Sequence, residues 1–471
     1  MVGVPLRSAT RRTGIARPRP TRSNLSSEAT GRRRPAGPAT RTGLALLAWA
    51  GLILVSHVLG ARLVARDPRT VIFAAPLVAR FDPHLPPTAL IPVAIAAVVV
   101  LFAPRLVADL GWRRLLVVAF LGAAAWAVAV ALADGAAELT RPLHFPNDYL
   151  ADVRLIGSPG VFLSHFVSTI GRLHQHVRAH PPGMVLLLWA MNRAGLGGPG
   201  WEAALEILGG AAMVPAVLVA VREVAGERTA RAAAPFVAFA PAAVWVATTG
   251  DAFFAGVEAW AVALLVLSLH RTGRRSAGLA LAGGVTFGVA LLLTYGVAVL
   301  AVIPALVAVA RRRLVPILLA AVGVGAVVLA SGIAGFWWFE GLRASLVQYR
   351  TGVARFRPQS YFWYGDLGAF AVVLGPATAV GLARLRDRGV WLLVGGGLLA
   401  MALSDASGLS KAEVERIWLP IAPWILAVGS SVVARPQADL ASADATVALR
   451  TWLTLTLGAG LAIQLLLRTT W

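Results

Sequence analysis

The chain has no cysteine, so disulfides, thiolate nucleophiles and cysteine metal sites are all excluded. It is also poor in charge, with 14% Asp, Glu, Lys and Arg against 58% hydrophobic residues. Soluble domains carry about 25% charged residues. Lys411 is the single lysine among 43 basic residues. No Walker or dinucleotide-binding fingerprint occurs, which argues against a soluble nucleotide site. No internal repeat of 20–50 residues is visible, nor paired Gly/Pro-broken helices at matching positions, and many transporters carry such repeats.

What the chain does have is a succession of apolar runs of near-spanning length. They lie at 43–61, 88–104, 113–133, 201–221, 231–248, 251–270, 276–294, 295–310, 313–334, 366–384, 389–404, 417–434 and 447–467. The expected fold is an all-α integral membrane protein of about 13 transmembrane helices. Residues 1–42 hold ten arginines and one acid, too polar to bury a core, and read as a disordered basic cytoplasmic tail. Such a tail fixes orientation and touches anionic lipid, and the reading assigns it no nucleic acid. Residues 43–61 lack a signal-peptide cleavage context and read as a retained anchor.

Charge decides the topology. The apolar segment 183–196 is shorter than a span. Were it to cross, the arginine clusters at 271–275, 311–313 and 384–388 would all face outward, against the positive-inside rule. Laid flat, it puts all three inside. The chain then divides into the 1–42 tail, three spans over 43–133, an extracytoplasmic loop with interfacial helices over 134–200, and a ten-span region over 201–471. That reading puts the protein in the plasma membrane, with a cytoplasmic N-terminus and any chemistry on the outer side.

The outer loop concentrates the titratable groups, with five of the eight histidines between His144 and His180. Asp148 and Asp152 stand four residues apart after Pro146-Asn147, so a helix there puts both carboxylates on one face. They suit a general base, a cation ligand or an acceptor clamp, although first-turn acids also complement a helix dipole. Phe162, Phe166, Ile170, Leu173 and Val177 recur at helical spacing, predicting an amphipathic interfacial helix over 161–177. His176 and His180 have metal-ligand spacing without a third local ligand. In His180-Pro181-Pro182-Gly183 the prolines hold His180 extended before a helix start, where free amides attract anions; a stiff surface turn fits equally.

Further along, Asp251 opens a helix after Thr248-Thr249-Gly250, and Glu258 lies two turns deeper, where an internal partner is expected. The 335–365 stretch alternates aromatics with Arg343, Arg350, Arg355 and Arg357, suiting an interfacial girdle or a sugar and a lipid phosphate. Lys411, Glu413, Glu415 and Arg416 place four charges in six residues before a span. They read as an interface ion-pair cluster or as phosphate ligands.

In this order, the pieces resemble the polytopic glycosyltransferases of GT-C type that use polyprenyl-phosphate sugars. These include protein O-mannosyltransferases and lipid A aminoarabinose transferases. Asn147-Asp148-Tyr149 resembles their acidic motif in the first large outer loop. His180-Pro181-Pro182 resembles the His-Pro-Pro segment of the mannosyltransferases, and Asp251 their second acid. Glu415–Pro420 is similar to a segment of actinobacterial members. The match covers roughly residues 134–270, with support from 405–424. It departs in two extra leading spans and in lacking the usual Asp-Glu or Glu-Glu pair.

The resemblance implies transfer of a sugar from a polyprenyl-phosphate donor to an acceptor hydroxyl, with inversion. Asp148 would be the base, Asp251 and Asp152 further site acids, and His180, Arg416, Lys411 and Arg355 the donors to the leaving phosphate. No cofactor is certain; a divalent metal, if one is used, would sit on Asp148 and Asp251. The partners implied are the lipid-linked donor, membrane lipids, and a glycan, lipid or protein acceptor. A transporter or flippase of lipid-linked sugars, or a non-catalytic protein of envelope assembly, are the alternatives.

Overall fold

The computed structural model describes residues 38–433 and 439–470. Nearly all of the expected tail, residues 1–37, lies outside the described residues. The protein is all-α and polytopic. Among the described residues nine helices are long and apolar enough to cross a membrane. They are Ala39–Arg66, Pro87–Asp109, Trp112–Asp134, Pro199–Ala225, Gly250–Leu269, Gly273–Leu293, Val315–Ile333, Arg388–Ser407 and Ala443–Leu466. A 20-residue helix is about 30 Å long, the thickness of a bilayer core.

The other four apolar runs are helical but not single straight spans, and each break has a local cause. The 366–384 run folds as Gln359–Leu374 and Pro376–Arg384, bent by 97°, which makes a tenth span if the pair counts as one. Gly375 takes φ 75°, a conformation that glycine reaches without strain, and Pro376 has no amide to continue the ladder. The 231–248 run becomes helix Glu227–Ala238 and a 3-10 turn at Pro241–Trp245. The 295–310 run opens as a 3-10 segment, Tyr295–Ala301, before helix Val302–Arg311. Pro420 and Pro423 divide the 417–434 run into short pieces, including Ala422–Leu426 and Ser430–Val433.

Burial ranks the spans. The most apolar windows of Gly250–Leu269 and Pro199–Ala225 are 72% and 61% buried, whereas those of Ala39–Arg66 and Val315–Ile333 are 11% and 17% buried. The first two helices are therefore central, and they cross through glycine: a Cβ on Gly256 would collide with the Gly209 carbonyl. Close backbone approach through small residues is the usual way of packing helices where lipid provides no hydrophobic drive.

Segment 183–196 forms helix Gly183–Arg193, 11 residues and too short to span. The expected helix over 161–177 is broken in two, Pro159–Thr169 and Gln175–Ala179, joined by a 3-10 turn at Ile170–Arg172. Its apolar face survives the break, since Phe166, Ile170, Leu173 and Val177 are all buried. The only strand pair among the described residues is antiparallel, Ala79–Phe81 with Leu467–Thr469, and it ties the loop after the first helix to the last one.

Four polar segments distant in sequence gather at one end of the bundle. Ser345 Oγ donates to the Arg178 carbonyl at 3.0 Å, and the Lys411 amide donates to the Tyr349 hydroxyl at 3.0 Å. Arg416 reaches Asp251. The arginines expected on the other side pack away from this region: Arg271 pairs with Glu223 at 2.6 Å, and Arg313 donates to the Leu269 and Arg271 carbonyls.

Candidate active site

Asp148 occupies the N-cap position of the short helix Tyr149–Val153, yet its side chain makes no capping bond. A dipole-complementing acid would turn toward the helix amides. Asp148 turns instead to the next loop, where His176 Nδ1 donates to its Oδ2 at 3.3 Å. The His176 amide also donates to the Asn147 carbonyl at 3.1 Å, so two segments nearly thirty residues apart are laced side by side. Asp148 is 6% exposed.

Tyr149 sits at the centre of the cluster. Its ring lies 5.6 Å from that of His176, 6.1 Å from His180 and 6.4 Å from Phe254. Burial, with the nearby Asp251 and Asp148 charges, raises its phenol well above the usual value, so it is neutral. His180 is pushed down to about 4 by burial; Arg416 and His176 reinforce the shift and Asp251 opposes it. The imidazole is therefore uncharged at neutral pH. One side backs onto the Leu293 carbonyl, while Nδ1 is buried with no hydrogen-bond partner among the described residues. The expectation of a charged phosphate donor at His180 is corrected to a neutral imidazole with an open acceptor nitrogen.

Asp251 lies in the first turn of Gly250–Leu269, and its Oδ2 accepts from Arg416 Nη1 at 2.6 Å. Arg416 Nη2 donates to Glu413 Oε2, and Glu413 Oε1 accepts from both terminal nitrogens of Arg357 at 3.3 Å. The result is a buried chain of alternating charge, Arg357–Glu413–Arg416–Asp251. Burial alone would raise Glu413, but the Arg416 and Arg357 guanidiniums outweigh it and hold it at about 2. Burial would likewise lower Arg416, and Asp251 and Glu413 reverse the sign. Ala412 and Glu413 take φ 60° and 61°, rare for side-chain-bearing residues. That backbone turn is what lets Glu413 reach two arginines.

Three expected site residues lie elsewhere. Asp152 is fully buried, and its two oxygens hold the His174 amide and Nδ1, each at 2.8 Å. It pins the loop that carries His176 rather than facing the cluster. Arg355 is exposed, its guanidinium 4.5 Å above the Phe356 ring; the buried arginine is Arg357, two residues on. Lys411 donates through Nζ to the Arg357 carbonyl at 3.0 Å and so braces the 411–416 loop. Of the four cations expected at a leaving phosphate, Arg416 alone stands in the cluster as a charge.

Two acids that hydropathy reads as part of a plain span complete the cluster. Glu202 and Glu206 lie one turn apart at the start of Pro199–Ala225, and both are fully buried. Neither oxygen of Glu202 has a hydrogen-bond partner among the described residues. Glu206 lies near Gly250, in the electrostatic field of Asp148 and Asp251, and neither of its oxygens has a hydrogen-bond partner among the described residues. Glu258 is also fully buried, and contrary to expectation neither of its oxygens has a hydrogen-bond partner among the described residues. Among the described residues, no group of three or more His, Asp or Glu side chains is arranged to hold a metal ion.

Chemically, the arrangement joins an oriented carboxylate, a neutral imidazole with an open acceptor, a neutral phenol and one fixed guanidinium. All of them lie at the mouth of a helical bundle.

No family model matches the chain, and no curated protein does. Among solved structures the chain is similar to the oligosaccharyltransferase of Archaeoglobus fulgidus, crystallised in complex with zinc and sulfate. The identity is 13% and the TM-score 0.36, over 72% of this chain and 53% of that one. The chain thus spans about half the length of that enzyme.

Proposed function

We propose that the protein is a membrane glycosyltransferase of GT-C type that moves a sugar from a polyprenyl-phosphate donor to an acceptor hydroxyl, inverting the anomeric centre. The observation that carries this reading is that Tyr149, next to Asp148, packs against Gly250 and Phe254 of the helix whose Asp251 holds Arg416. Displacement at an anomeric carbon needs a base on one side and a fixed positive charge for the leaving phosphate on the other. Asp148 takes the acceptor proton. Arg416, held by Asp251 and Glu413, faces the charge that develops on the lipid phosphate. His180 Nδ1 accepts a hydrogen bond from a sugar or acceptor hydroxyl, and the neighbouring aromatic rings cover the sugar face. The donor's lipid tail stays between helices, and the site faces away from the cytoplasm across the plasma membrane.

The test is transfer of radiolabelled sugar from polyprenyl-phosphate donors in membranes containing wild type or Asp148→Asn. Transfer by the wild type that the variant loses, with insertion unchanged, supports the reading. Equal transfer in both removes Asp148 as the base.

A second reading has its own support. Glu206 and Glu258 are carboxyl groups buried inside spans without hydrogen-bond partners, and intramembrane acids mark ion and substrate pathways. A flippase of lipid-linked sugars would use them to couple movement to protons. Absence of transfer across a panel of donors, together with proton-dependent movement of a labelled lipid-linked sugar between leaflets, favours this reading.

A further inference from the structure

Segment 67–86 joins the first two spans, in the part of the chain that departs from the glycosyltransferases it resembles. The first span, Ala39–Arg66, is the least buried of the nine, yet it is bonded to helix Gln359–Leu374. Trp49 Nε1 donates to the Ala371 carbonyl at 2.8 Å and Ser56 Oγ to the Tyr364 carbonyl at 3.0 Å. The Tyr361 hydroxyl donates in return to the Ser56 carbonyl at 3.0 Å. A helix facing lipid gains little from apolar burial, so interhelical bonds of this kind fix its place.

The segment that follows reaches the buried chain of charges. Thr70 is fully buried, and its carbonyl accepts from Arg357 Nε at 3.1 Å. The Val78 amide donates to Glu415 Oε1 at 2.9 Å. Between these two contacts Ile72 and Ala75 pack, with Val78, against Tyr361, Phe362 and Ala412. Arg357 directs its other nitrogens to the Lys411 carbonyl, at 2.8 Å, and to Glu413, which holds Arg416. Beyond Val78 the segment is tied down, since Ala79–Phe81 pairs with Leu467–Thr469. His84 and Arg468 both bind Asp134, at 2.6 and 3.1 Å.

We propose that segment 67–78 is a clamp that positions Arg416, acting through Arg357 and Glu415 on the loop that carries it. Arg357 grips that loop at Lys411 and Glu413, and Glu415 immediately precedes Arg416. The loop needs a hold, because Ala412 and Glu413 stand in the left-handed region and such backbone persists only where its surroundings impose it. A guanidinium stabilises a leaving phosphate only from the place where the charge develops. Displacement by about 1 Å can cost about 100-fold in rate. This catalytic meaning rests on the function proposed above, whereas the hold on the loop does not.

Hydrogen exchange of the full chain in nanodiscs reads the hold at the amides of Lys411 and Ala412, which donate to the Tyr349 hydroxyl and to Asp366. Val78→Pro removes the donor of the clamp bond, and Glu415→Leu removes its acceptor from the other side. Either variant serves should the other misfold. Each should speed exchange at 411–412 about tenfold or more, while the central helix Gly250–Leu269 stays as slow as in the wild type. Glu415→Gln keeps an oxygen for the Val78 amide and should match the wild type. Exchange at 411–412 that is unchanged in Glu415→Leu overturns the clamp. In sugar transfer, kcat per folded molecule should fall about tenfold or more in Glu415→Leu, with a smaller change in donor KM, and Glu415→Gln should restore it. Faster exchange with unchanged kcat overturns the positioning of Arg416. If the wild type transfers no sugar from any donor, the proposed function fails, and the exchange result alone decides the clamp.

Discussion

Arg416 Nη1 lies 2.6 Å from Asp251 Oδ2, joining two residues 165 positions apart in a buried ion pair. The pair holds the start of a central helix to the 411–418 loop. Removing one partner of a buried pair leaves the other charged and unsatisfied, at a cost of about 3–5 kcal/mol. Arg416→Gln and Asp251→Asn should each destabilise the protein on that scale. The double variant should lose less than the sum, with a coupling of roughly 0.5–3 kcal/mol in unfolding from mixed micelles. Strict additivity would show that the contact carries no energy.

Asp148 and Asp152 should separate by phenotype. Asp148→Asn removes the proposed base and should lower sugar transfer by roughly 100-fold or more, with little change in unfolding temperature. Asp152→Asn leaves the His174 amide and ring poorly matched at a fully buried side chain and should cost about 1–3 kcal/mol. Its transfer rate per folded molecule should change less. The reverse pattern would exchange the roles assigned to the two acids.

His180 provides a test in pH. Its folded value of about 4 lies below the ordinary histidine value of 6.5. Between those values the unfolded chain binds a proton that the folded protein refuses, so stability rises with pH across this window. The contribution is complete above about 6.5 and is lost as pH falls through about 4. His180→Gln should therefore flatten the dependence of unfolding temperature on pH between those limits. An unchanged slope would mean that the ring is solvated.

Glu415 works in the opposite sense. Burial raises it to about 7, against the pull of the Val78 amide that donates to its Oε1 at 2.9 Å. From about 4.5 to about 7 the unfolded chain has already lost the proton that the folded state keeps, so stability falls as pH rises and levels off above 7. Glu415→Gln should remove this alkaline-side loss and be more stable than wild type at pH 8. The check is paired melting curves at pH 5 and pH 8.

Helix packing is testable at Gly256. Its Cα hydrogen faces the Gly209 carbonyl with no room for a side chain. Gly256→Ala should part the two central helices, costing about 1–3 kcal/mol as overpacked cores do. Because those helices carry Glu202, Glu206 and Asp251, transfer should fall as well. A variant as stable as wild type would show that the crossing is looser than described.

The legible part of this molecule was what hydropathy and charge encode. Every apolar run is helical, and the polar segments assigned to one face do meet. Asp148, Asp251, His180 and Arg416 could be named because charge is expensive near a membrane and these residues stand at helix starts or beside prolines. The same rule finds Glu202 and Glu206 once it is applied to the first turns of the 201–221 run, where average hydropathy hides two acids. Breaks in the spans were visible as Pro241, Gly375-Pro376, Pro420 and Pro423, but apolar composition outweighed them. The choice of Arg355 over Arg357, and the grip of Asp152 on His174, could not be read locally. Both depend on which side chain a distant loop leaves room for. Glu413 is the extreme case, since its backbone conformation is set by arginines from another part of the chain and from its own helix.

That conformation bears on the order of assembly. Two consecutive side-chain-bearing residues in the left-handed region cost about 1–3 kcal/mol each when nothing holds them. Here the Ala412 amide is held by Asp366, and Glu413 is held by Arg357 and Arg416. The Arg416 contact is local, three residues on, but the Asp366 and Arg357 grips do not exist until those distant residues reach the loop. The 411–416 loop cannot template the bundle; the bundle must template the loop. The charged centre is therefore among the last parts of the molecule to form, and a chain caught partway through folding would have its spans without its site.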